Sequence, residues 1–198
     1  MFTRLSKLVP SIDIAIIIAP ILILRFIRTQ PAGKGIWLTL LGFILSMNIA
    51  LWGLFEFDET RMTMLFGLIR STALALIWFL PFMRDRVIYP KFRHRGTWST
   101  LILPIVTTAI FFLSSLEGPF DDGSGTSSSF GFGYGTLAFI QVRSLFGIWI
   151  LVFIHSWLFS MVNFSWEHRF RWINIKMPAI IYSAVILSVF LFGILKTS

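Results

Sequence analysis

GLIRSTALALIWFL, residues 67–80, decides the fold. It lies inside a continuously apolar run over 63–83, and AFIQVRSLFGIWILVF, residues 138–153, lies inside another over 136–161. A membrane-crossing helix needs about 20 predominantly apolar residues, with a range near 17–25, and both runs meet that length. Each also carries one arginine, Arg70 and Arg143. A charge at such depth costs roughly 2.5–3.5 kcal/mol on insertion scales, so each guanidinium needs a partner, a cavity or a job.

Four further apolar runs cover 11–27, 36–56, 98–116 and 178–195. The first, third and last of these are at the short end for a span. Pro10, Pro31, Pro90, Pro119 and Pro178 fall near run boundaries, where proline commonly sits. Pro20 and Pro104 fall inside runs and are expected to kink them. Composition agrees with the runs. Only 13% of the 198 residues are charged, 56% are hydrophobic, and 22 are Phe. Soluble domains carry about 25% charged residues, so polar surface is too scarce here to cover a soluble globule. A β-barrel would alternate apolar and polar residues, and these runs do not. The sequence therefore predicts an all-α polytopic membrane bundle of about six transmembrane helices, forming one domain over 1–198, because lipid requires each backbone polar group to be satisfied internally.

Charge sets the expected orientation. The connections after the first, third and fifth runs carry eleven basic residues against two acids, Asp85 and Glu167. The opposite side carries four basic residues, Arg4, Lys7, Arg61 and Lys196, against seven acids. The positive-inside rule then puts the eleven in the cytoplasm and both termini outside, with the inner (plasma) membrane as the expected location. Arg4 and Lys7 pull the other way, and a re-entrant first run would bring only the N-terminus inside. That run reads as a retained helix rather than a signal peptide, since Arg25 and Arg28 follow closely and no A-x-A-like cleavage site is present. The net charge of +8 is this loop bias and does not indicate nucleic acid. The basic loops FMRDRVIYPKFRHRGTW and SWEHRFRWINIK interleave aromatic and cationic residues, which fits an aromatic belt and contact with anionic lipids. A docking surface for a partner is the alternative.

Residues 117–135, EGPFDDGSGTSSSFGFGYG, form a Gly-, Ser- and Asp-rich outer loop. It lacks the spacing of an EF-hand and reads either as a plain connection or as a cover over an outer site.

Depth along each helix points to a candidate site. Arg70 and Arg143 each lie seven residues in from the outer end of a run, on the order of 10 Å below the boundary. Asn48, Thr107 and Thr108 fall at a similar level on two other runs, as does Pro20. Spacing does not show that these residues face one another. In one reading the arginines are structural and pair with Asp13, Glu56, Asp58 or a carbonyl. In another, two guanidinium forks grip a carboxylate or phosphate. In a third, one arginine snorkels to the interface. The repeated Arg70-Ser71 and Arg143-Ser144 dipeptide is consistent with an internal repeat. His155 is the one histidine in an apolar run. It reads as a ring bonded to a carbonyl or to Ser156, or as a proton relay. His94 and His168 sit in loops, which argues against a haem pair.

Cysteine is absent, so disulfides, thiolate catalysis and Cys-based metal sites are excluded. No nucleotide-binding, zinc-hydrolase or serine-hydrolase motif occurs, and no cofactor or metal is expected. Ala15 and Ala19 form an A-x-x-x-A pattern that lets helices approach closely. In that motif, in size and in span count the chain resembles the solute-binding subunits of energy-coupling-factor transporters. Termini placed outside depart from that family's arrangement, and no site residue is carried over. The first functional expectation is a non-catalytic subunit of a larger membrane complex, with other membrane subunits as partners. The alternative is a transporter or binder of a small anion or lipid head group, and the third is an enzyme acting on a lipid-linked substrate.

Overall fold

The computed structural model describes residues 10–52, 61–116, 147 and 149–197. Among these residues the chain is helical and contains no strand. Helix α1 spans Pro10–Thr29, α2 Ala32–Trp52 and α3 Arg61–Phe92. A single 3₁₀ turn, Arg93–Arg95, leads through Gly96 into the short α4, Thr97–Thr100, which continues after Leu101 as α5, Ile102–Leu116. Helix α6 spans Trp149–Glu167 and α7 Trp172–Thr197. Five stretches are long and apolar enough to cross a membrane: Ala32–Ala50, Met64–Phe92, Thr97–Ser114, Trp149–Glu167 and Trp172–Phe192. Helix α1, with Arg25 and Arg28 near its end, is the sixth long helix and packs against α2, α3 and α6.

The expected bundle is present, but its helices outrun the apolar stretches at the basic end. Helix α3 continues nine residues past 83 and takes Arg84, Asp85 and Arg86 into regular helix. Pro90 lies inside its last turn rather than after it. Helix α6 likewise runs on to Glu167, and α7 starts at Trp172, so Pro178 is internal. The reason is physical. Lipid ends where polar residues begin, whereas a helix ends only where its hydrogen bonding fails. At 1.5 Å per residue the 32 residues of α3 reach about 48 Å, well beyond a hydrocarbon core of about 30 Å. Pro20 sits within an unbroken α1. Pro104 is the third residue of α5, just after the break at Leu101, so the disruption expected at this proline appears as a helix boundary. The outer loop 117–135 lies outside the described residues.

Two tight connections gather the helices at this end. Only Gln30 and Pro31 separate α1 from α2, and Gly35 permits the close return: a Cβ there would stand 3.1 Å from Gln30 Cβ. Between α6 and α7, Arg169 and Phe170 have φ of 53° and 55°, a left-handed conformation that side chains other than glycine rarely adopt. The Phe170 amide donates to the Ser165 carbonyl at 2.8 Å, capping α6.

The core lies between α1, α3, α5 and α6. Leu24, Ile27, Phe79, Phe82, Leu103, Phe111, Val152 and Phe159 form one buried cluster. Phe43 of α2 tilts onto Phe82 with ring centroids 5.5 Å apart, and Trp78 meets Phe111 edge-on at 5.2 Å. Between membrane helices such packing, rather than water exclusion, drives association. Polar ties add to it. Trp157 Nε1 donates to Thr100 Oγ1 at 3.0 Å, joining α6 to α4, and Asn163 Nδ2 donates to the Ile21 carbonyl at 3.0 Å, joining α6 to α1.

Candidate anion site at the basic end

The strongest polar construction in the described residues is an arginine cluster where α1, α3 and α6 converge. Arg28, in the last turn of α1, reaches Asp85 of α3 in fork geometry, with Nε and Nη2 donating to the two carboxylate oxygens at 2.8 and 2.9 Å. The side chains are 3% and 0% exposed, so the pair is desolvated and each member depends on the other. The Arg28 guanidinium also lies over the ring of Tyr89, 3.6 Å from its centroid. Asp85 and Tyr89 are four residues apart on α3 and therefore share a face.

Tyr89 carries the network to α6. Its hydroxyl donates to Glu167 Oε2 at 2.7 Å. Three arginines surround the same carboxylate at longer range: Arg28 Nη1 at 3.7 Å, Arg93 Nε at 3.8 Å and Arg25 Nη1 at 3.9 Å. Those distances permit charge attraction but exceed the 2.7–3.2 Å of hydrogen bonds. Arg86 Nη2 donates to the Gln30 carbonyl at 3.0 Å, tying the α1–α2 turn to α3.

A cavity of about 280 Å³ opens here, lined by Arg25, Arg28, Arg86, Arg93, Tyr89 and Glu167 together with Thr29 and Pro90. Two guanidinium nitrogens in these walls, Arg28 Nη1 and Arg86 Nε, are buried without a hydrogen-bond partner. Buried donors are nearly always satisfied, by protein, water or a ligand. The arrangement can accept an oxyanion, because four guanidinium groups line a recess whose wall holds one carboxylate, Glu167.

The residues singled out by depth lie elsewhere. Asn48 and Arg70 sit on adjacent helices, and Asn48 meets the two residues that follow Arg70. Ser71 Oγ donates to Asn48 Oδ1, and Asn48 Nδ2 donates to the Ile44 carbonyl at 2.7 Å and approaches Thr72 Oγ1 at 3.4 Å. Asn48 is thus occupied as a clamp between α2 and α3. Arg70 itself is half-buried on α3. Thr107 is buried on α5, and Thr108 Oγ1 is buried with no hydrogen-bond partner. Arg143 lies outside the described residues. His155 is half-buried, with Nδ1 2.8 Å from the Leu151 carbonyl.

Asn48→Leu is expected to cost about 0.6–1.7 kcal/mol, the range for interhelical hydrogen bonds in lipid. Melting of the purified variant checks this, and unchanged stability would show that Asn48 does not clamp α2 to α3.

The basic-end cluster is hard to read from the sequence, because Arg84 to Arg95 and Glu167 fall in polar stretches that look like loops. One signal was available. Asp85 and Glu167 are the two acids among eleven bases on that side, and a lone acid amid cations is a natural partner for a buried arginine. Comparison with protein-family models, curated proteins and solved structures finds no match to this chain.

Proposed function

We propose that this protein is an integral membrane protein that binds an anionic group, a lipid head group or small anion, in the arginine cavity at its basic end. The observation that carries this reading is the recess itself, lined by Arg25, Arg28, Arg86 and Arg93 with Glu167 as the one carboxylate in its wall. The positive-inside rule puts that end in the cytoplasm, where the leaflet carries anionic lipids. The candidate residues are Arg25, Arg86 and Arg93, with Arg28 held by Asp85 as the fixed wall. The alternative, a subunit of a larger membrane complex, draws on the bare apolar faces of α2 and α7, where Trp37 and Ile173 are 65% and 70% exposed. Lipid covers such faces equally well, so the arginine-lined recess favours the binding reading.

The test is the double variant Arg25→Gln, Arg93→Gln. Both residues lie at the cavity edge, with side chains 29% and 61% exposed, so folding should survive. Native mass spectrometry of protein extracted from nanodiscs containing anionic lipid should show retained lipid falling by about tenfold or more, since each charge-assisted contact contributes roughly 1.5–3 kcal/mol. Retention equal to that of the unmodified protein would refute the assignment.

A further inference from the structure

The charges of the cavity define which anion suits it. Four guanidinium groups, Arg25, Arg28, Arg86 and Arg93, meet two carboxylates, Asp85 and Glu167. The remaining balance is two positive charges. Asp85 is spent, because both of its oxygens are held by the Arg28 fork and its side chain is fully buried. Glu167 is different. Its short bond goes to a neutral hydroxyl, Tyr89, while its three cationic neighbours stay at 3.7–3.9 Å. The carboxylate therefore stands where it draws on Arg25, Arg28 and Arg93 together without satisfying the free Nη1 of Arg28.

We propose that the cavity takes a dianionic phosphate monoester, and that Glu167 acts as an internal counter-ion that competes with it; this rests on the anion-binding reading above. A dianion matches the two unbalanced positive charges, and its three terminal oxygens can engage two or more guanidinium forks at once. A phosphodiester has a single charge and two such oxygens, and fills the recess less completely. The acid holds the arginines apart from weaker ligands and yields to a ligand with charge enough to displace it. Glu167 thus sets the affinity that any anion must reach to occupy the recess.

The test measures binding of phosphatidic acid, phosphatidylglycerol and inorganic phosphate to the full chain in zwitterionic nanodiscs, with and without Glu167→Gln. Phosphatidic acid should bind at least about fivefold more tightly than phosphatidylglycerol, because one unit charge about 4 Å from another matters by that much even in bulk water. By the same argument Glu167→Gln should tighten binding of either lipid at least about fivefold. Competition by inorganic phosphate would assign the site to the free anion as well as the lipid; binding of phosphatidic acid without competition would assign it to the head group. Either result supports the monoester.

The sign of the pH dependence gives an independent readout. A monoester gains its second charge near pH 6, so its binding should strengthen as pH rises from 5 to 8. Among the groups facing the cavity, Arg25 and Arg28 of α1, Arg86 of α3 and Arg93 of the 3₁₀ turn stay charged throughout, and both Asp85 oxygens are held by the Arg28 fork. Equal binding of the two lipids with no pH dependence would overturn the monoester while leaving the anion site intact. Glu167→Gln binding that weakens in a folded protein would overturn the counter-ion role. No binding of any probe would refute the underlying reading as well.

Discussion

Arg28→Met is expected to lower the folded yield sharply and to reduce stability by about 3–5 kcal/mol, the cost of leaving one member of a buried ion pair alone. At roughly 2–4 °C per kcal/mol for a chain of this size, the melting point should fall on the order of 10 °C. The cause is Asp85, which is fully buried and receives both of its hydrogen bonds from this one side chain. Arg28→Lys should recover only part of the loss, because an ammonium cannot reproduce the fork. The double variant Arg28→Met, Asp85→Leu should recover most of it, since replacing both charges by apolar groups removes the unpaired charge altogether. Fluorescence-detected size exclusion after heating measures all three. A single variant as stable as the original would show that the pair is not desolvated as described.

Phe159→Ala is the second large effect, expected at about 3 kcal/mol. Phe159 is 1% exposed and belongs to the central cluster. Phenylalanine-to-alanine changes in soluble cores cost roughly 3–5 kcal/mol, as transfer plus cavity terms. In lipid the transfer term shrinks, because an unpacked helix still faces hydrocarbon, so the lower end of the range applies. Phe190→Ala on the outer surface of α7, 39% exposed, should lose less than about 1 kcal/mol, in the range of surface substitutions. Comparable losses at the two positions would mean that α7 is buried by something besides lipid.

The helical membrane architecture was legible because it depends on run length and continuity, which hydropathy reports directly. The helix ends were less so. Arg84, Asp85 and Arg86 look like a loop to any scale that equates polarity with exposure, yet they occupy regular turns of α3. Depth counting gathered Asn48, Arg70, Thr107 and Thr108 into one layer. It carried no azimuth, and Asn48 turned out to meet Ser71 and Thr72, the two residues that follow Arg70. The basic-end cluster was hidden for a different reason. Its members are separated by 57 and 78 residues along the chain, and no local pattern links Arg28 to Asp85 or Tyr89 to Glu167. Only the folded path brings the pairs together.

The distance along the chain between Arg28 and its partner also imposes an order on biosynthesis. Helix α1 leaves the ribosome before α3, carrying a guanidinium near its end whose counter-charge has not yet been made. It cannot sink that residue into the protein interior until α3 has been synthesised far enough to present Asp85. Helices α1, α2 and α3 must therefore be kept beside one another while translation continues, and they consolidate as a unit rather than one at a time. The later helix α6 then delivers Glu167 to a group of cations already in place.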